Sequence, residues 1–146
     1  YNERRDITKF FDKTNFVRST MDDKNIIMYR LSDILLLRAE ALNQLNRPAE
    51  AIAIVNQMKV RAGETGLLPS DYSGLNKSQV EDIILNERSK ELCFEGKRWF
   101  DLVRTGKAIS VMQPINGLNN EDNYVWPIFL NEIRLNPLLK QNSYYQ

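Results

Sequence analysis

Between Tyr29 and Gly63 apolar residues return every three or four positions, the spacing of one face of an α-helix. Leu31, Ile34, Leu35, Ala39, Leu42 and Leu45 form one stripe with Asp33, Glu40 and Gln44 opposite, so a first helix is predicted here. Asn46-Arg47-Pro48 interrupts it. Pro48 suits the first turn of a second helix, because its missing N–H would have no intrahelical partner there. Ala51, Ile54, Val55, Met58 and Ala62 continue the stripe to Gly63, which suits the left-handed position that closes a helix. So short a connection makes the two helices antiparallel. Small Ala39 and Ala51, with Val55 beyond them and Leu35 and Leu42 at large positions, give the pair a tetratricopeptide-like pattern, from which Arg38 departs.

Residues 64–77 hold Gly66, Pro69, Ser70, Asp71, Ser73 and Gly74 and read as a surface loop. Ser78-Gln79-Val80-Glu81 has the form of a capping box, opening a third helix through Val80, Ile83 and Ile84 to Phe94, closed by Gly96. A short fourth helix runs from Lys97 to Arg104 and stops at Gly106. Residues 1–28 and 107–146 show only interrupted patterns. Tyr124, Trp126 and Ile128 alternate, but Pro127 turns that segment toward an edge strand or an irregular arm. The fold class is all-α: tetratricopeptide-like helical hairpins with long irregular flanks, in one helical domain over residues 1–146.

Composition narrows the chemistry. Twenty basic and nineteen acidic residues are intermixed, a net charge of +1 that disfavours nucleic acid as a partner. There is no histidine, which excludes Ser-His-Asp and Cys-His catalysis and His-containing zinc sites within the chain. No metal, cofactor or catalytic residue is assigned. Cys93, the one cysteine, is read as a buried, inert thiol, and Lys77, Lys90, Lys97 and Lys107 as solvated charges. No apolar run reaches the roughly 18 residues of a membrane span. The chain opens on Tyr1-Asn2-Glu3-Arg4-Arg5, so any targeting signal is expected upstream.

The third helix carries Glu87, Arg88, Glu91 and Glu95 on or beside the face of Val80 and Ile84. Docking by that face takes charges out of water and therefore requires partners. Arg98, Asp101 and Arg104 on the next helix are the candidates, and the seven residues are read as a structural ion-pair network. The competing reading makes Glu87 and Glu91, one turn apart, the two carboxyls of a retaining glycosidase. Neighbouring arginines argue against it, since they hold carboxylates ionised and a general acid needs a raised pKa. Of the aromatic residues that could stack on a sugar, Trp99 and Trp126 are expected to pack, leaving Tyr72 as the better surface contact.

Residues 86–104 carry Glu87-Arg88, Glu91-Leu92, Phe94-Glu95-Gly96, Arg98-Trp99 and Asp101-Leu102 with a final Arg104, which resembles the signature of the SusD/RagB family. Tyr29 to Asp33 with Ala39-Glu40-Ala41, Asn56 with Arg61-Ala62-Gly63, Trp126-Pro127-Ile128 through Glu132, Asn136-Pro137 and Gln141-Asn142 agree with it, as does Glu3-Arg4-Arg5. Phe129 and Ser143-Tyr144-Tyr145 depart from the family's pattern in the tail. The likeness covers nearly the whole chain and matches only the C-terminal part of full-length members. It implies a non-enzymatic protein that binds a nutrient, expected to be a glycan, and delivers it to a SusC-like TonB-dependent transporter. It also implies an outer-membrane, cell-surface lipoprotein whose lipid anchor lies outside this chain. The alternative is a tetratricopeptide-like scaffold for protein interaction. Ligand-contacting residues are left unassigned.

Overall fold

The computed structural model describes residues 27–146. Glu3-Arg4-Arg5 and Phe10-Phe11 lie outside the described residues. Seven α-helices and no strand are found among the described residues: α1 Leu31–Gln44, α2 Pro48–Arg61, α3 Pro69–Tyr72, α4 Lys77–Glu91, α5 Arg98–Arg104, α6 Ala108–Asn116 and α7 Leu130–Leu135. Short 3-10 helices occupy Glu121–Tyr124 and Ser143–Tyr145. The chain divides into two compact units, the first ending at Lys97 and the second covering Arg98–Gln146.

In the first unit α1 and α2 form the antiparallel hairpin, and α4 packs on both. The turn between the hairpin helices is built by the last residues of α1. Asn46 takes a left-handed φ of 60°, the Arg47 N–H donates to the Leu42 carbonyl at 2.9 Å, and the Asn46 N–H donates to Asn43 at 3.0 Å. That pairing satisfies carbonyls a helix end would otherwise leave open. Gly63, at φ +81°, repeats it after α2, as its position in the sequence implies. Ala39 and Ala51 are both fully buried in a core with Leu36, Ile52, Val55, Val80 and Ile84.

Four local expectations change. The buried side of α1 is Asp33, Leu36, Ala39, Leu42 and Asn43, whereas Leu31 is 73% exposed and Ile34 and Leu45 also face outward. Apolar residues fall on more than one side of α1, so its spacing alone does not select the face, and a buried ion pair at Asp33 does. The third predicted helix begins two residues early, because Asn76 is the N-cap. Its Oδ1 accepts from the Gln79 N–H, while Gln79 Oε1 accepts from the Asn76 N–H, both at 2.9 Å. Leu75, just before the cap, and Val80 belong to one apolar cluster, fixing the entry of the chain. The same helix ends at Glu91, so Cys93 sits in the following turn and is exposed.

The loop before α4 is tied down by one amide. Asn56 Nδ2 donates to the Leu67 carbonyl at 3.0 Å and its Oδ1 accepts from the Leu67 N–H at 2.7 Å, with Gly66 so close that a Cβ there would meet the Asn56 side chain at 3.2 Å. Asn56→Ala is expected to cost about 1–3 kcal/mol and to release protection of the Leu67 amide, read by hydrogen exchange.

The second unit is more ordered than its sequence suggests. α6, α7 and two 3-10 helices lie within residues 107–146, where no helix is predicted; Pro114 and the brevity of α6 mask its period. Leu102, Ala108 and Leu118 form a small core flanked by Trp99, Ile109, Met112 and Tyr124. Val125 to Ile128 is an irregular arm. Its strand partner is replaced by a side chain: Gln141 Oε1 accepts from the Ile128 N–H and Gln141 Nε2 donates to the Ile128 carbonyl, both at 2.8 Å. Asn142 Nδ2 donates to the Trp126 carbonyl beside it.

Candidate functional site

The charged face of α4 meets the start of α1 and the end of α2. Arg88 is buried against Asp33, also buried: Nη2 donates to Asp33 Oδ1 at 3.0 Å and Nη1 to the Asp33 backbone carbonyl at 3.2 Å. One guanidinium therefore holds both the side chain and the backbone of the first turn of α1. Lys97 Nζ lies 3.3 Å from Asp33 Oδ2, an ion pair without hydrogen-bond alignment, and 3.9 Å from the centre of the Tyr29 ring.

Arg30 bridges the next turn. Its Nε donates to Glu95 Oε1 at 2.9 Å, Nη1 to Glu91 Oε1 and Nη2 to the Glu91 carbonyl. Arg61, in the last turn of α2, donates to the other oxygen of Glu91. Glu87 has Lys59 Nζ at 3.8 Å, and Lys59 and Lys90 both reach Glu64, at 2.7 and 3.0 Å. In the second unit Asp101 accepts from Arg104 at 2.7 Å, one turn along α5, and Arg98 opens that helix half-buried. The residues that spacing missed are thus Arg30, Asp33, Lys59 and Arg61, whose separations from their partners of up to 65 positions leave no local signal. Lys77 donates to the Gln44 carbonyl, and Lys90 and Lys97 are ion-paired, so these three lysines are not simply solvated.

The two central carboxyls are driven apart. Burial alone would raise the Glu91 carboxyl, but hydrogen bonds from Arg30, Ser32 and Arg61 outweigh it and hold the group below the ordinary carboxylate range. At Glu87 burial wins over the pull of Lys59 and Lys90, and the carboxyl is pushed up, against the expectation that neighbouring cations keep it low. Opposed shifts of this kind occur in acid–base pairs, yet both side chains are only 5% exposed and arginines occupy both Glu91 oxygens. A substrate has no open approach to them. Arg30 and Arg61 tie Glu91 to the start of α1 and the end of α2.

The shifts imply a pH profile. Glu87, raised in the fold, contributes stability that is present below the unfolded value near about 4.3 and lost as pH rises through its folded value. Glu91, lowered, contributes stability present above that value and lost as pH falls through its own folded value. These two groups together should make Tm rise as pH falls toward the unfolded value of about 4.3 and fall again below it, read by thermal unfolding across pH. Glu87→Gln should raise Tm at pH 7 and abolish the first limb.

The aromatic candidates also rearrange. Tyr72 packs against the first core and is not a free surface contact. Trp99 packs in the second core, edge-on to Tyr124 with ring centres 5.7 Å apart. Trp126 is 86% exposed. Together with Tyr145, Asn116 and Asn123 these three rings line a cavity of about 360 Å³ in the second unit. Among the described residues no cluster of Cys, Asp and Glu could hold a metal ion, and no helix is long and apolar enough to cross a membrane.

The model of the SusD family matches residues 3–145. Two SusD-like proteins of Formosa agariphila are similar to this chain: one is 46% identical over 92% of the chain and 27% of its own length, the other 34% identical over 82% and 24%. A crystal structure of a SusD superfamily protein from Bacteroides thetaiotaomicron superposes with a TM-score of 0.67 at 33% identity, over 83% of this chain and 26% of that one. The chain spans about a quarter of the length of these relatives.

Proposed function

Because the chain belongs to the SusD family, we propose that it serves nutrient binding at the cell surface, with a glycan as the nutrient. Delivery is to a SusC-like TonB-dependent transporter in the outer membrane, and attachment is through a lipid anchor outside this chain. The protein works by binding and is not an enzyme. The observation that carries the reading is the family match across residues 3–145. The segments in which the sequence resembles the family support it, because they are the ones that interlock. Tyr29, Arg30 and Asp33 hold Arg88, Glu91, Glu95 and Lys97, and Gln141 and Asn142 hold the backbone at Trp126 and Ile128. A binding role is also supported by the enclosure of Glu87 and Glu91 among cations, which closes these two carboxyls to a substrate.

Affinity electrophoresis of the protein, expressed from its own gene, through gels containing soluble polysaccharides tests the ligand class. Retardation by at least one polysaccharide is expected. Uniform mobility across neutral and acidic polysaccharides overturns the glycan reading, and failure to co-purify with a TonB-dependent transporter overturns the delivery role.

A further inference from the structure

We propose that Asn116-Gly117, where α6 ends, is a site of self-modification gated by the last turn of that helix: the Asn116 amide is converted to a carboxyl, with water as co-reactant, and the second core is loosened. The backbone nitrogen of Gly117 attacks Asn116 Cγ and closes a five-membered imide, while the Cγ–Nδ2 bond breaks and ammonia leaves. Water then opens the imide. Cleavage of the new Cγ–N bond leaves an aspartyl residue in a normal backbone; cleavage of the bond to the Asn116 backbone carbonyl carries the chain on through Cγ as an isoaspartyl link. One water is consumed and one ammonia released, with no change of oxidation state.

The chain has a single Asn-Gly pair. Every other residue after an Asn places a Cβ beside the attacking nitrogen, and Gly117 places none. Asn116 and Gly117 are both exposed, and nothing lies within 4 Å of the position a Gly117 Cβ would take, so the approach is open. The Leu118 N–H donates to Asn116 Oδ1 at 3.2 Å, which draws electron density from the carbon under attack. Asn142, followed by the small Ser143, is the nearest rival. There Nδ2 is held by the Trp126 carbonyl.

The helix restrains the reaction without preventing it. The Gly117 N–H donates to the Gln113 carbonyl at 2.9 Å, and the nitrogen is not available for attack until that bond opens. Pro114 lies inside α6 and has no N–H for the carbonyl four residues back, so the closing turn is held by fewer bonds than an unbroken helix would give it. Once formed, the product fits the turn poorly. A carboxylate at the C-terminal end of a helix meets the negative end of its dipole. The isoaspartyl link also adds a backbone carbon just before Gly117, whose φ of +77° caps α6, and two positions before Leu118, buried with Leu102 and Ala108.

Peptide mapping by mass spectrometry tests this on the protein expressed from its own gene and held in mildly alkaline buffer, with amide loss followed at every asparagine. The Asn116 peptide should lose its amide first and split into aspartyl and isoaspartyl forms. In urea it should react about three- to tenfold faster than in the native protein, the ratio set by opening one hydrogen bond at a helix end. Asn116→Gln, whose imide would be six-membered and closes slowly, should keep its amide over the same period. Hydrogen exchange should be faster in α6 of the converted protein than of the fresh protein, and unchanged in α1. Amide loss at another asparagine ahead of Asn116, equal rates in urea and in the native protein, loss as fast in Asn116→Gln, or unaltered exchange in α6 after conversion each overturns the assignment.

Discussion

Arg88→Ala is expected to lower the unfolding free energy by about 3–5 kcal/mol, measured by urea denaturation at pH 7. Arg88 and Asp33 are both buried, and the guanidinium contacts the Asp33 carboxylate and its backbone carbonyl. Removing it strands an acceptor pair at the start of α1, with Lys97 Nζ alone beside Oδ2. The cost comes mainly from the abandoned charge. Replacing both partners together, Asp33→Leu with Arg88→Met, should therefore recover most of the loss, because two apolar groups of similar size leave nothing unpaired. A double replacement as unstable as the single one would mean that the pair matters for its geometry and not for its charge balance.

Leu36→Ala should cost about 2–5 kcal/mol, while Leu31→Ala on the same helix stays within about 0.5 kcal/mol of the parent. Leu36 is fully buried in the core with Ala39, Val55 and Ile84, and truncating it leaves a cavity that the close hairpin crossing has little freedom to fill. Leu31 faces outward. A larger loss at Leu31 than at Leu36 would show that α1 docks by the stripe its spacing first suggests.

That contrast also shows where the sequence can and cannot be read. The hairpin, its Gly63 stop and the buried residues of α2 follow from period and turn chemistry, which are local. The face of α1 does not, because the exposed Leu31, Ile34 and Leu45 share the helical spacing of the buried Ala39 and Leu42. What selects the face is Asp33 finding Arg88, a partner 55 positions away. The candidate network illustrates the same limit. Burial of Glu87 and Arg88 follows from their sharing the face of Val80 and Ile84, but the partners nearest in sequence, Arg98, Asp101 and Arg104, gave no indication of Arg30 or Arg61. In the second unit the Gln141 clasp on Ile128 is a long-range side-chain contact within an irregular arm, and no periodic pattern encodes it.

The residues of the family resemblance acquire a physical reason from these contacts. Tyr29, Arg30 and Asp33 sit far in sequence from Arg88, Glu91, Glu95 and Lys97, yet each of the seven contacts at least one of the others across α1 and the end of α4. Substitution at Arg30 takes the guanidinium from both Glu91 and Glu95, and substitution at Arg88 takes it from Asp33.

The measurement that bears most directly on this account is a carboxyl-detected NMR titration of Glu91, assigned by comparison with Glu91→Gln. If Arg30 and Arg61 lock Glu91 as part of the architecture, its carboxyl titrates below the ordinary glutamate value of about 4.3 and moves back toward it in Arg30→Ala. A midpoint above that value, as a general acid requires, would contradict the account and return the paired carboxyls to a catalytic role.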